Sequence, residues 1–509
     1  MKLNGIACST ARLGRKYRRL SCVVLSLLLL LLPLSGSARA EETPEVALFQ
    51  QIDAYVEHEM QTGLIPGLSF AIVQGDKVLY QNGYGKVRPN GAGVTAQTPF
   101  VLGSVSKPLT ALAVRQLVNI GKLDYNERVT TYLPWFRTKD QAASDRITIR
   151  MLLEHTSGFS TTSGGGAYRG HIYSMLELVE QLKTVALDRP VGTSMEYSNL
   201  NYLVLGLVIQ QVSGVSYEAY IEQNIFAPLQ MRHSYTSEQA ALNDGLASGH
   251  RIAFGIPLAT HIPYPTGNVA HGFLISSAED MAHYMICCLN NGYYNGVSVV
   301  PNNELSLIAD PLAPFAQADA YYTTYWEISR TPGGYYGHSG ATVNYTSTYA
   351  LSQQARYGVV VLANVAGEFY SPAVSPDTIC AGIQTILSDG TPVDTERDGL
   401  TAGTWISFGT FAFAVLIAAL RIVFFRRFRR ALETGGKRRK RAVVSMVLVD
   451  FLLPVGLNLA LWYTMGASLF YALIAIPEQA IPLAILCVGL LATGLCKLIL
   501  LIRTKSTAR

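Results

Sequence analysis

Apolar positions fall into three regimes along this chain. From Glu41 to about Glu396 apolar and polar residues are interleaved, whereas the first forty residues and most of the chain beyond Thr401 are rich in hydrocarbon side chains. Within the interleaved region Val46, Phe49, Ile52, Val56 and Met60 recur at helical spacing, which predicts a helix over Val46–Gln61 closed by Gly63 and Pro66. The β-rich runs Leu68–Val73 and Lys77–Gln81 flank Gln74-Gly75-Asp76, a hairpin signal. After Pro99 the pattern turns helical, most clearly over Leu109–Ile120 and later over Tyr202–Val212. Strand character returns in Tyr321–Arg330, Gly337–Leu351 and Tyr357–Asn364, and a helix over Ala373–Leu387 ends the region. Strands at both ends with helices between predict an α+β fold, in which an antiparallel sheet flanked by helices carries an all-helical insertion. The Gly-rich stretch Ser160–Gly170 reads either as a lip over a site or as a plain surface loop.

The apolar ends change the picture from a soluble domain to an anchored one. Basic residues (Arg12, Arg15, Lys16, Arg18, Arg19), an apolar run Leu20–Leu34 and Ala38-Arg39-Ala40 make a secretory signal, with cleavage expected after Ala40; an uncleaved anchor is the alternative. Three segments, Thr404–Phe425, Ala442–Tyr463 and Ala480–Ile502, are long enough to cross a hydrocarbon core, which takes about 20 helical residues. Ala467–Ile476 is apolar but too short. Nine Lys and Arg between Arg426 and Arg441 place the first connection in the cytoplasm by the positive-inside rule. The expected organisation is a signal peptide over 1–40, an extracytoplasmic domain over 41–396 and a three-span anchor over 397–509, with a cytoplasmic C-terminus. Asp450 interrupts the second span, and a carboxylate at that depth should face other helices or be protonated. It reads as packing glue or as a contact for a substrate or a partner membrane protein. Arg421 and Lys497, near cytoplasmic ends, can snorkel to the interface.

Composition agrees. Of 509 residues 49% are hydrophobic and 15% charged, as for a partly membrane-embedded protein, and the net charge of +5 comes from the basic connection, leaving no case for a nucleic-acid partner. Of the seven cysteines only Cys287, Cys288 and Cys380 fall in the exported region, so no disulfide framework is expected; one pair with Cys380 or buried free thiols both remain open.

Candidate chemistry comes in three pieces. Ser104-Val-Ser-Lys107 opens the helical stretch after Pro99, so the hydroxyl and the amine share one helix face near an N-terminus that favours developing negative charge. A lysine whose pKa is lowered by burial can take the serine proton. Tyr197-Ser198-Asn199 precedes a second helix; its phenol can shuttle a proton and its amide can donate to a substrate carbonyl. Tyr80-Gln81-Asn82 and Tyr293-Tyr294-Asn295 share the Tyr-x-Asn pattern, but in turn-like sequence. His338-Ser339-Gly340 starts a late strand: Gly340 lets a substrate backbone lie close, His338 or Ser339 can hydrogen-bond to it, and the N–H groups of Ala341 and Ser104 can form an oxyanion hole. There is no His-Glu-x-x-His, Cys-x-x-Cys or Gly-x-Ser-x-Gly pattern, so a metal-free covalent mechanism without a cofactor is expected.

These motifs, in this order, resemble the serine β-lactamase and penicillin-binding-protein superfamily, class C type. Leu152-Leu-Glu-His-Thr-Ser-Gly158 and Ile275-Ser-Ser-Ala-Glu-Asp-Met-Ala282 extend the resemblance over about Ile52–Ile386. It implies a serine hydrolase of the peptidase S12 type with Ser104 acylated, Lys107 and Tyr197 as general base and acid, and Asn199 with the His338 triplet on the substrate side. His338 stands where many relatives have Lys, which removes a permanent charge and favours amide or ester substrates without a carboxylate. The three-span anchor resembles the membrane-bound peptidases of the colibactin-maturation type, which activate exported non-ribosomal-peptide prodrugs by removing an N-acyl-D-asparagine cap. That resemblance makes His271 and Asn344 candidates for holding an asparagine side chain, with a loop histidine and a strand amide as the plain alternative. Expected partners are an acylated amide or ester substrate and the lipid membrane, with an exporter or other membrane partner left open. The competing readings are a DD-peptidase, esterase or β-lactamase, and a non-catalytic membrane receptor or scaffold.

Overall fold

The computed structural model describes residues 44–163, 172–300, 336–352, 354–367, 375–388, 390–392, 402–465 and 469–506, together with three short strands between 313 and 329. The expected signal and part of the Gly-rich stretch lie outside the described residues. Helix α1 (Pro44–Thr62) leads into β1 (Gly67–Gln74) and β2 (Lys77–Gly85). β1 is buried along nearly its whole length, as befits an inner strand, whereas β2 is half exposed at the sheet edge. The sheet is completed from the other end of the region by β3 (Ala313–Pro314), β4 (Ala320–Tyr322), β5 (Glu327–Ser329), β6 (Tyr336–Ala341), β7 (Thr346–Ser352) and β8 (Tyr357–Ala363). Its order is β2-β1-β8-β7-β6-β5-β4-β3, antiparallel throughout, so the two ends of the region meet where β1 pairs with β8.

The expected α+β architecture is therefore present, with two corrections. The run Tyr321–Arg330 is not one strand but belongs to the β4–β5 hairpin, and Gly337–Leu351 is divided into β6 and β7. The second break carries neither Gly nor Pro. Thr342 Oγ1 instead accepts from the N–H groups of Asn344 and Tyr345, a side-chain-made turn that apolar patterning does not reveal.

Helices α2 (Ser106–Asn119), α3 (Asn199–Ser213), α4 (Ala278–Leu289) and α5 (Pro376–Leu387) cover this sheet or build the insertion. α4 packs on β1 and β8, and α5 on β7 and β8, whereas α2 and α3 pack on each other in the helical part. Sheet and helical part share one core, in which Val73, Val360 and Leu362 belong to the same buried cluster as Leu109, Leu112, Tyr202 and Val208. Cys287, Cys288 and Cys380 are buried free thiols.

Three long apolar helices come next: Ala402–Thr434, the run Gly436–Met465 with a π-helical segment at Met446–Leu452, and Pro477–Ser506. They are long and apolar enough to cross a membrane. Asp450 is fully buried among them and pairs with Arg421 of the first and with Lys497 of the third, whose Nζ donates at 2.7 Å. Arg421 and Lys497 thus turn inward to the carboxylate rather than snorkelling, because leaving Asp450 unpaired among apolar helices is the costlier arrangement.

Candidate active site

Ser104 does not lie within the α-helix. It sits in the 3-10 turn Gly103–Val105, between the two-residue strand Phe100–Val101 and α2. Gly103 permits this turn with φ of +55°, and a Cβ there would come within 2.5 Å of the Ala341 nitrogen. Gly340 faces it: its Cβ would lie 2.1 Å from the Leu102 carbonyl oxygen and 3.0 Å from the Ser104 nitrogen. Two glycines thus let the Ser104 turn press against β6, bringing the backbone of Ser104 beside that of Gly340 and Ala341. The turn is fastened by Ser347, whose Oγ donates to the Leu102 carbonyl at 2.5 Å.

Lys107, in the first turn of α2, is fully buried. Its Nζ lies 3.1 Å from Ser104 Oγ, 2.8 Å from Asn199 Oδ1 and 2.7 Å from the carbonyl oxygen of His271. None of these partners is a carboxylate, and burial drives its pKa well below the ordinary 10.5. Once that proton is shed, the amine can donate its two N–H bonds to Asn199 and His271 and turn its lone pair to the serine. Tyr197 completes the arrangement, its hydroxyl donating to Ser104 Oγ at 2.8 Å, with the Lys107 nitrogen 4.8 Å from the centre of its ring. Ser104 Oγ thus lies within hydrogen-bond reach of both the amine and the phenol.

Tyr197 is itself positioned by His155, which sequence reasoning left inside a family-like stretch without a role. The two rings stack with centroids 4.5 Å apart. His155 Nδ1 accepts from the backbone N–H of Ser198 at 3.1 Å, so that nitrogen carries no proton. Burial, with the Lys107 charge second and His338 third, lowers its pKa well below 6.5.

The remaining candidates separate into those at the cavity and those turned elsewhere. Ser104, Asn199, His271, Ala341 and Asn344 line a cavity of about 770 Å³. His338 is buried, its Nδ1 donating to the Ser339 carbonyl at 2.6 Å and its ring 6.3 Å from that of Tyr197. Burial, then Lys107, lowers the pKa values of His338 and His271 to about 3, so both imidazoles are neutral at physiological pH. Ser339, on the opposite face of β6, points away from the cavity and donates to Asp377 on α5. The Asn344 amide donates to the Thr260 carbonyl at 3.1 Å, which gives it a fastening role within the wall. Tyr80 and Asn82, the rival Tyr-x-Asn, lie on β2, where Tyr80 bonds to Asp53.

A further cavity residue alters an expectation. Arg251 lines the cavity, nearly buried, with its guanidinium donating to the Val343 carbonyl at 3.2 Å. A permanent cation is therefore present although the third motif lacks one. The same cavity has apolar lining from Ile172, Leu178, Leu182, Val185, Leu200 and Leu203. Among the described residues no group of three or more His, Cys, Asp or Glu is placed to hold a metal ion.

The family model for beta-lactamase matches residues 52–375, the stretch that builds this sheet, the insertion and the Ser104 turn. The chain belongs to the beta-lactamase family. Among sequence relatives in that family, the protein flp of Staphylococcus aureus strain MW2 is 30% identical over 330 residues, covering 63% of this chain and 64% of flp. The chain thus spans less than two thirds of that relative's length. An N-acetylmuramyl-L-alanine amidase of Bacillus subtilis strain 168 is 25% identical over 380 residues, covering 64% of this chain and 82% of the amidase. Among solved structures, the octameric penicillin-binding protein homologue from Pyrococcus abyssi has a TM-score of 0.60 at 24% identity, covering 68% of this chain and 79% of its own. A class C beta-lactamase gives 0.57 at 22%, covering 67% and 96%. Likenesses at this identity speak for the fold.

Proposed function

We propose that this protein is a membrane-anchored serine hydrolase of the beta-lactamase family that cleaves an amide through an acyl-enzyme, its catalytic domain on the outer side of the cytoplasmic membrane. The observation that carries the reading is the Ser104 hydroxyl held between the Lys107 amine, whose pKa burial lowers, and the Tyr197 phenol. Ser104 Oγ attacks the carbonyl carbon as its proton passes to Lys107 Nζ, and the N–H groups of Ser104 and Ala341 receive the developing oxyanion. The tetrahedral adduct collapses by breaking the C–N bond, Tyr197 delivering a proton to the departing amine and recovering one from Lys107. Water then enters by the same route in reverse and releases the acid.

For the substrate, the apolar wall fits an acyl chain, and with the anchor it supports the finer reading that an N-acyl-D-asparagine cap is removed from an exported peptide prodrug. A specific observation favours a second reading: Arg251 can hold a carboxylate, as in cell-wall peptides, and one relative is named as an N-acetylmuramyl-L-alanine amidase. Purified full-length protein offered acyl-D-asparagine amides, muramyl peptides and a chromogenic β-lactam separates these. Preference for the first by at least about tenfold in kcat/KM is expected, and loss of turnover by about 10³-fold or more in Ser104→Ala. Equal turnover by Ser104→Ala would refute the hydrolase reading itself.

A further inference from the structure

A surface hairpin, His250–Ala253 paired with Ile256–Ala259, has a tip that the chemistry above does not use. Its turn residues Phe254 and Gly255 both have positive φ, +51° and +78°. Such a turn usually prefers Asn or Gly at its first position, and a bulky side chain there needs a compensating contact. The contacts lie on the apolar helices. The Phe254 ring meets Phe408 and Phe411 of the first long helix at centroid distances of 5.5 and 5.9 Å, and its N–H donates at 2.8 Å to the buried carboxylate of Glu478 in the first turn of the third. Beyond the turn Ile256 and Leu258 stand 58% and 45% exposed, and no residue from Ile252 to Ala259 is ionisable.

We propose that the tip of this hairpin is immersed in the outer leaflet, with lipid acyl chains covering Ile256 and Leu258, and that it seats the mouth of the catalytic cavity at the membrane surface. The depth follows from the helix it touches. Trp405, 63% exposed, is the kind of residue that marks a membrane–water boundary. Phe408 and Phe411 lie three and six residues further along, roughly 5 and 9 Å deeper at 1.5 Å per residue. That is the depth to which interfacial elements bury their apolar faces, about 5–10 Å. Arg251 and Thr260, at the base of the hairpin, line the cavity together with Tyr471 and Ile476 of the helical module. The cavity thus opens beside the bilayer, and a substrate with an apolar tail enters laterally from the leaflet.

This rests on the proposed membrane placement, and the test separates the two. With Cys8, Cys22 and Cys496 replaced by Ala, an environment-sensitive fluorophore is attached at Ile256→Cys or, as a marker within the first span, at Phe413→Cys, in phosphatidylcholine vesicles. Both positions are expected to be quenched by nitroxide-bearing lipid and little by iodide. Quenching of the Ile256 label by iodide would overturn the immersion while the Phe413 label still upheld the span, and protection from both quenchers would overturn it in favour of a protein cover such as a second copy. Lipid quenching at neither position would remove the membrane placement as well. In parallel, Ile256→Asp with Leu258→Asp is expected to raise KM for a long-acyl substrate in vesicles about tenfold while leaving kcat/KM for a short-acyl soluble one unchanged; equal KM in wild type and variant would overturn lateral entry.

Discussion

Among the described residues two lysines are withdrawn from water, and one difference in their surroundings separates them. Lys107, fully buried, meets a hydroxyl, an amide oxygen and a backbone carbonyl. Lys497, 4% exposed, meets the carboxylate of Asp450 at 2.7 Å. Burial beside neutral acceptors makes shedding the proton the less costly course, because no opposite charge compensates the lost hydration. Burial beside a carboxylate retains the ion pair and makes it a clasp between helices. The comparison teaches that a buried amine is readied to act as a base by what is left out of its surroundings: among the described residues no acidic side chain bonds to Lys107.

The sharpest way to break the comparison is to supply what is missing. Asn199→Asp puts a carboxylate oxygen where Oδ1 now lies, 2.8 Å from Lys107 Nζ. A close opposite charge favours the charged amine by roughly 1–3 pKa units, so acylation at neutral pH is expected to fall about 10- to 1000-fold. The sign is fixed by the base. The active form is deprotonated, so in wild type acylation rises with pH through an ionisation well below 10.5, and in Asn199→Asp that rising limb moves to higher pH. A pH profile of kcat/KM reads both. An unshifted limb would mean that Lys107 is not the group titrating.

How much of this was legible depended on how local the information was. Ser104 and Lys107 are three residues apart, so helical geometry alone placed them together, and the sheet could be anticipated because apolar strands lie at both ends of the family-matched region. The parts that escaped reading are made by contacts between distant segments. Arg251 reaches the cavity from a hairpin anchored on the long helices, and His155 acts by stacking under Tyr197 from a residue with φ of +57°. Nothing in their neighbouring residues encodes either contact. The inward turn of Arg421 and Lys497 escaped for the same reason: helix spacing gives their depth, but not the rotation that points them at Asp450.

A smaller effect is expected from the backbone that surrounds the base. Gly340→Ala would press a methyl carbon to 2.1 Å from the Leu102 carbonyl and 3.0 Å from the Ser104 nitrogen. Both are backbone atoms, so the nucleophile turn must shift, spoiling the alignment of Ser104 with the two N–H groups proposed for the oxyanion. Losing one such donor costs about 10²-fold or more in kcat, and a loss of roughly that size is expected, with the pH profile unmoved because Lys107 keeps its surroundings. That combination distinguishes displacement of the serine from a change in the base. A shifted profile in Gly340→Ala would show that the two are not separable.

The other half of the comparison predicts the least change in turnover. Asp450→Asn removes the carboxylate from Arg421 and Lys497 and leaves two cations facing each other among apolar helices, a loss of about 3–5 kcal/mol where a buried pair is broken. Resistance of the helical module to denaturant in detergent is expected to fall, while hydrolysis of a short soluble substrate changes less than about twofold, since none of the groups bonded to Ser104 is touched. Lys497→Met added to Asp450→Asn should recover part of the loss, because only one cation then remains to be accommodated. Gly494 makes the result specific: a Cβ there would lie 2.8 Å from that of Asp450, so the third helix packs directly on the carboxylate-bearing turn and must feel its neutralisation. If the double variant were no more stable than Asp450→Asn alone, the clasp would owe its strength to shape and not to charge, and the contrast between the two lysines would have to be drawn from packing instead.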